Sequence, residues 1–220
     1  MKKTLAIAIA LLSCALAWAG ETRISVSVNP DAKKQKIAAF VQAQDNAVEA
    51  LPHCLPASVD GFTYDWTPSR RGDIQTGLLI ARMAWKDLRN GKTICTYYRP
   101  SWIEPGSDDR VSAVFRQFSN FVRPGDSVIA TGAPEDLNGT VAVGFRSRKK
   151  KSIVLVLVNS SFNTTIADIR LPEKYTKKVK SVEAFSTSGE SSEMQKKTDV
   201  SLSEGVSISP RSVMTVRITL

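Results

Sequence analysis

The chain has 220 residues, of which 42% are hydrophobic, and its formal net charge is +9. This length allows a substantial core but excludes a complete (β/α)₈ barrel of roughly 250 residues with a second domain beside it. The basic residues are not interleaved with aromatic residues, as a base-stacking platform requires, so we expect no nucleic-acid partner.

Residues 1–19 have the pattern of an export signal. Lys2 and Lys3 precede an apolar segment, which ends at an Ala-Trp-Ala cleavage site at residues 17–19. The apolar segment is too short to predict a membrane span, and no other segment is apolar enough. We therefore expect an exported protein, in the periplasm or outside the cell. The Leu-Leu-Ser-Cys sequence ending at Cys14 resembles a lipobox, which leaves anchoring through a lipid on Cys14 as an alternative.

Two short strands are predicted after the signal. Residues 23–30 place Ile24, Val26 and Val28 at alternate positions and end at a proline, which is typical of a half-buried strand. Residues 36–41 form the second strand. The mature chain therefore begins with extended structure.

Residues 42–72 carry no periodic pattern, because prolines and a glycine interrupt them. If Cys14 leaves with the signal, Cys54 and Cys95 remain, and an oxidising compartment allows one disulfide between them. Two separately buried thiols are the alternative. The chain has one histidine, His53, and neither cysteine has a partner at ligand spacing. We therefore predict no metal site and no cofactor.

Apolar residues at helical spacing predict two helices with a strand between them. Residues 73–90 form a helix that Asp73 caps and an Asn-Gly pair ends. Residues 93–98 form the strand. Residues 111–121 form the second helix, which stops before a Pro-Gly pair. This order of elements is an α/β fragment.

The remainder of the chain has the texture of a sandwich, with short strands separated by turn residues at about ten-residue spacing. Eight strands are predicted, at residues 127–131, 140–146, 152–159, 165–171, 179–185, 199–202, 206–209 and 213–220. Residues 153–158 are all apolar, so we expect their strand to be central and buried on both faces.

Two runs of basic residues interrupt these strands, at Arg146–Lys151 and Lys174–Lys180. Solvated hairpin tips explain both runs. The other interpretation is attraction to an anionic polysaccharide or to the cell surface.

Four motifs occur in an order that resembles the C-terminal β-sandwich of glycoside hydrolase family 30. The motifs are FRQFSNFVRPGD at 115–126, VLVLVN at 154–159, AFSTSGE at 184–190 and SPRSVMTV at 209–216. The resemblance implies a sandwich beside a (β/α)₈ barrel, with the first sandwich strand supplied by the N-terminus. Residues 23–40 resemble that strand and the start of the barrel. Residues 73–98 resemble the last barrel helix and the eighth barrel strand.

The resemblance also implies retaining hydrolysis by two glutamates, whose carboxyl groups must lie about 5–5.5 Å apart. Here about 30 residues stand where most of the barrel belongs. Asp65 lies where the seventh barrel strand would end, so it is a positional candidate for the nucleophile, with a turn or surface acid as the alternative. Glu104 follows the eighth strand and is the other weak candidate, or an exposed turn residue. We therefore assign no catalytic residue.

Aromatic residues near the same strand are candidates for stacking on sugar rings. They are Tyr98, Trp102 and Trp66. Packing between the barrel remnant and the sandwich is their alternative role.

The sequence therefore predicts a mainly β protein, an antiparallel β-sandwich of about eight or nine strands with a short α/β remnant of a truncated TIM barrel before it. The predicted segments are the signal at 1–19, an N-terminal strand joining the sandwich at 20–45, the barrel remnant at 46–110 and the sandwich at 111–220.

We predict an exported, carbohydrate-associated protein that resembles family 30 but has no independent glycosidase activity. One alternative is part of an active retaining hydrolase of the xylanase, glucosylceramidase or β-1,6-galactanase type, completed by a partner or a missing segment. Another is an envelope module that binds polysaccharide. The expected partner is a polysaccharide or a cell-envelope glycan, and the sequence identifies no protein partner.

Overall fold

The computed structural model describes residues 21–43, 58–59, 62–63, 74–98, 110–133, 139–147, 151–189, 191–198 and 200–220. In these ranges the strands are β1 (Thr22–Lys36), β2 (Ala39–Ala43), β3 (Ser58–Val59), β4 (Phe62–Thr63), β5 (Ile94–Tyr98), β6 (Ser127–Gly132), β7 (Thr140–Ser147), β8 (Ser152–Asn159), β9 (Thr165–Arg170), β10 (Ser181–Ser188), β11 (Ser191–Lys197), β12 (Val206–Ile208) and β13 (Ser212–Thr219). The helices are α1 (Ile74–Arg89), α2 (Arg110–Ser119) and α3 (Glu173–Thr176).

Nine strands form one sheet in the order β11-β10-β13-β8-β7-β6-β1-β9-β12. The sheet curls, so that β12 at one edge contacts β13 near the other edge. β1 lies between β6, to which it is antiparallel, and β9, to which it is parallel. The predicted β-sandwich is thus confirmed, as a curled sheet in which β1–β9 is a parallel pair and the other pairs are antiparallel. Parallel pairing arises there because β1 comes from the far end of the chain and not from a hairpin.

β8 is an interior strand, the fourth of the nine, and both of its faces are buried, as its continuous apolar sequence predicts. Ile153, Leu155 and Leu157 point into the interior of the curl, where Val26 of β1 and Ile208 of β12 also lie. The alternate valines of β8, at positions 154, 156 and 158, face the helices. The sheet therefore separates two apolar cores.

α1 and α2 pack together against the outer face of β7, β8 and β13. Leu78 and Leu88 of α1 and Phe118 of α2 are buried in this layer. The helices cross closely at Gly77, where a Cβ would lie 2.8 Å from Cγ2 of Val114. A larger residue at Gly77 would push the helices apart.

β2 and β5 form a separate parallel pair, with Ala39 beside Ile94 and Ala43 beside Tyr98. The amide of Ala38 donates to the carbonyl of Thr93 at 2.7 Å. The side chain of Gln35, near the end of β1, donates to the carbonyl of Leu88 at 2.5 Å. The first bond extends the parallel pairing by one residue, and the second joins β1 to the end of α1. The predicted Asp73 cap of α1 lies outside the described residues.

Two predictions for the second half of the chain are wrong. Residues 200–202 of the expected strand at 199–202 do not form a strand; a turn follows at 202–204, and the hydroxyls of Ser201 and Ser203 lie 2.7 Å apart. β11 is an edge strand instead, and its mostly polar sequence gives no strand pattern, although Met194 packs on the apolar core. The basic run beginning at Lys174 is not a hairpin tip, because it contains α3.

Candidate functional site

The predicted site residues fall largely outside the described ranges. Outside them lie Asp65, Glu104, Trp66, Trp102 and Cys54. Tyr98 and Cys95 lie on β5, where the backbone is described without the side chains. Their assigned roles, including the disulfide, therefore stay predictions. In the part of the chain that the structure describes, no three His, Cys, Asp or Glu side chains form a group that could hold a metal ion.

Two other sites emerge from the described residues, one beyond each end of β8. The first, which we call the aromatic end, consists of Phe162, Arg211 and Gln75. The ring of Phe162 is 79% exposed, in the turn between β8 and β9. The guanidinium of Arg211 lies 5.3 Å from the centre of that ring and donates to Oε1 of Gln75 at 3.2 Å. The aromatic end therefore lies beside the first turn of α1.

Asn159, the last residue of β8, holds this turn in place. Its side chain is fully buried, and its amide nitrogen donates to the carbonyls of Asn163 at 2.9 Å and Ser209 at 3.1 Å. Its oxygen accepts from the amide of Ser161 at 3.0 Å and from the hydroxyl of the same residue at 2.7 Å. One buried side chain thus joins the β8–β9 turn to the β12–β13 turn.

Arg211 is held in an unusual backbone conformation, with a φ of +46°. A left-handed conformation costs a non-glycine residue about 1 kcal/mol or more and persists where its surroundings impose it. Here the amide of Arg211 donates to the carbonyl of Ser161 at 3.0 Å. The side chain is thereby directed over Phe162.

A single exposed apolar residue is ordinary on a protein surface. Phe162 differs because its turn is fixed by the hydrogen bonds of the buried Asn159 side chain and because the guanidinium of Arg211 lies over its ring. A fixed ring offers an apolar face at a low cost in conformational entropy, and the neighbouring guanidinium and amide supply hydrogen bonds. This combination suits the C–H face and the hydroxyl groups of a sugar ring.

The second site, which we call the basic groove, has a volume of about 540 Å³. It is lined by side chains from both basic runs, namely Arg146, Lys151, Tyr175, Lys177, Lys178 and Lys180. The β7–β8 connection brings the first run here, since Ser147 pairs with Ser152, and α3 with the segment after it brings the second. The fold therefore converts two separate basic runs into one surface.

A network around Asp31 forms one side of the basic groove. Asp31 accepts from Lys174 at 2.6 Å, from the hydroxyl of Tyr175 at 2.5 Å and from Arg146 at 3.1 Å. These donors, Lys174 first, lower the pKa of Asp31 to about 2. Burial, followed by the bond to Asp31, raises the pKa of the buried Tyr175. Arg146 also donates to the carbonyl of Pro30 at 3.0 Å, so its guanidinium is fixed in orientation.

Sequence reasoning missed Phe162, Asp31 and Tyr175. An aromatic residue inside the polar run Ser-Ser-Phe-Asn-Thr was an available signal for the first. No local signal marks Asp31, since its partners lie more than a hundred residues away in the chain.

No family model and no curated protein matches the sequence. Solved structures match by fold. The catalytic domain of the family 30 xylanase C from Talaromyces cellulolyticus matches with a TM-score of 0.56 at 19% identity, over 96% of this chain and 48% of that one. A family 44 xyloglucanase from Paenibacillus polymyxa matches with a TM-score of 0.52 at 16% identity, over 68% of this chain and 30% of that one. A conserved exported protein from Bacteroides fragilis matches with a TM-score of 0.57 at 16% identity, over 81% of this chain and 38% of that one.

These likenesses confirm the fold that the sequence motifs implied. The chain spans less than half the length of each of these three structures. The identities are too low to transfer an activity, and both family 30 and family 44 share the fold. No helix among the described residues is both long and apolar enough to cross a bilayer.

Proposed function

We propose that the protein is an exported, carbohydrate-associated module that contacts glycan and does not hydrolyse it alone. One observation carries the absence of hydrolysis. β2 is the first strand of the parallel pair, and α1 precedes the second strand, β5. β2 ends at Ala43 and α1 begins at Ile74, so the interval between them is 30 residues, 44–73. A full barrel has about 250 residues, or roughly 30 for each of its eight strand–helix units, so this interval cannot supply the six missing units.

The consequence is chemical. Retaining hydrolysis needs an acid and a nucleophile about 5–5.5 Å apart on opposite sides of the bond. In the family that the motifs resemble, these carboxylates come from barrel strands four and seven, and the residues that the structure describes include no counterpart of strand four. Asp65 and Glu104 therefore stay candidates without an assigned partner.

The aromatic end supports the glycan contact. Phe162 presents a fixed, exposed ring with Arg211 behind it, and sugars stack on such faces. Tyr98, Trp102 and Trp66 are proposed as further stacking residues. A polysaccharide-binding module of the cell envelope is an alternative to this proposal, and anchoring through a lipid on Cys14 is a separate alternative for the localisation.

One observation favours the alternative of a hydrolase completed by a partner or a missing segment. β2 and β5 are described as a two-stranded parallel sheet, and parallel strands are normally buried within larger sheets. Further barrel strands would pair with the outer edges of this sheet. In that case the complete assembly hydrolyses glycosides.

The proposed organisation follows the sequence. Residues 1–19 are the signal, 20–45 carry the strand that joins the sandwich, 46–110 are the barrel remnant and 111–220 the sandwich. Cys54 and Cys95 are proposed to form the disulfide.

The test measures hydrolysis of aryl glycosides and of xylan by the purified chain. We expect no turnover. Hydrolysis that Asp65→Asn or Glu104→Gln abolishes would overturn the proposal, because it would show a working carboxylate pair. Retention on insoluble xylan and β-glucan tests the binding, with Trp102→Ala as the variant for that predicted contact.

A further inference from the structure

We propose that the basic groove binds the carboxylate groups of an anionic polysaccharide, with a polyuronate as the simplest case. This inference rests on the proposed glycan-associated function, and it adds a site and a chemical class of glycan.

The groove holds a positive charge whose position is set before any ligand arrives. One terminal nitrogen of Arg146 donates to the carbonyl of Pro30 at 3.0 Å, to Asp31 at 3.1 Å and to the hydroxyl of Tyr175 at 2.9 Å. The guanidinium also lies 5.2 Å from the centre of the Tyr175 ring. A planar cation fixed in this way is suited to carboxylate, because little side-chain entropy is lost on binding.

The rim of the groove carries cations in excess of the carboxylates that face them. Lys177 pairs with Glu173 at 2.6 Å, and Lys180 donates to the main-chain oxygen of Leu220 at 3.0 Å. For Lys151 and Lys178 the described part of the chain offers no ion-pair partner. Two lysines are therefore available to an anion.

The carboxylate of Asp31 does not cancel these charges. It is matched by Lys174 as well as by Arg146. The charge balance of the groove is thus positive, and anionic ligands are attracted to it.

The shape of the site selects among anionic polymers. The rim cations surround a concave space of about 540 Å³, which a single chain enters and a flat bilayer does not. The aromatic side chain in the lining, Tyr175, is buried and offers no face for stacking a nucleic-acid base. Repeated carboxylates along a narrow polysaccharide fit both the charge and the concavity.

The experiment measures binding of the full chain to polygalacturonate at low ionic strength, with the methyl-esterified polymer as its uncharged counterpart. The test variant is Lys151→Gln/Lys178→Gln. The control is Lys33→Gln/Lys92→Gln, which removes the same charge from exposed lysines that do not line the groove. We expect the test variant to bind about tenfold more weakly and the control to stay within about twofold of the wild type. Esterification and added salt should both abolish binding.

Four results would overturn the proposal. They are no binding to polygalacturonate, equal losses in both double variants, equal binding to the esterified polymer, and lysine-dependent binding to anionic phospholipid vesicles in place of the polysaccharide. Retention on insoluble xylan that both double variants preserve would leave the proposed function standing without this site. Hydrolysis of any of these polymers would refute the proposed function while leaving the groove's binding intact.

Discussion

The two candidate sites beyond the ends of β8 hold their side chains in place by different physical means. At the aromatic end, Asn159 is fully buried and its hydrogen bonds fix the turn that carries Phe162. At the basic groove, Asp31 organises Arg146 and Lys174 although its own side chain is 47% exposed. Buried hydrogen bonds are insensitive to salt, whereas exposed ion pairs are screened. One fold therefore carries a rigidly held aromatic side chain and a salt-sensitive network of ion pairs about one strand length apart.

The largest loss of stability should come from a substitution in β8, the strand that joins the aromatic end to the basic groove. Leu155 is fully buried in the middle of β8, so Leu155→Ala leaves a cavity in the core. We expect the free energy of unfolding to fall by about 2–5 kcal/mol, with Tm lower by roughly 5–15 °C in a thermal melt. Val182→Ala, at a partly buried position on β10, is the control and should cost less. A loss below about 1 kcal/mol for Leu155→Ala would contradict the two-sided core.

Asn159→Ala should lower the free energy of unfolding more than any single substitution at the basic groove does. The substitution removes a fully buried side chain and leaves the carbonyls of Asn163, Ile208 and Ser209 without their donor, at a cost of about 2–4 kcal/mol by denaturant melt. The matched control is Ser201→Ala, which removes a hydrogen bond from an exposed turn and should cost a few tenths of a kcal/mol. Equal effects of the two substitutions would show that burial does not distinguish these bonds.

Phe162→Ala separates binding from stability at the aromatic end. The ring is mostly exposed, so we expect Tm to change by at most about 2 °C, through loss of the contact with Arg211. Retention on insoluble xylan or β-glucan should fall about five- to thirtyfold, the effect of losing one aromatic contact of about 1–2 kcal/mol. The loss should persist in high salt, unlike binding at the basic groove. Unchanged retention would remove Phe162 from the proposed contact.

Sequence reasoning succeeded where a local pattern and the tertiary environment coincide. The all-apolar run of β8 has one structural solution in a sandwich, a central strand buried on both faces, and that is what forms. β11 was not predicted because an edge strand needs no apolar pattern, and its sequence is mostly polar apart from Met194, which packs on the core. The basic groove escaped because Arg146 and Lys178 meet through topology, and spacing along the chain carries no record of it.

The smallest and most specific effect concerns Asp31. Its pKa is lowered from 3.8 to about 2 by Lys174 and then by Tyr175, so the folded state favours the ionised carboxylate. A depressed pKa contributes stability that is complete above the unfolded value near 4 and is lost as the pH falls toward 2. Asp31→Asn should therefore lower Tm at pH 7, and the difference from the wild type should shrink progressively between pH 4 and pH 2.

The exposure of Asp31 keeps this effect small, and salt should reduce it further. Asn159→Ala provides the contrast, because it removes neutral hydrogen bonds. The difference in Tm between this variant and the wild type should therefore stay constant across the same pH range. A difference between wild type and Asp31→Asn that stays constant from pH 7 to pH 2 would mean that the carboxylate charge contributes nothing. The basic groove would then be organised by the packing of Arg146 on Tyr175. The aromatic end and the basic groove would in that case not differ in the way that their exposure implies.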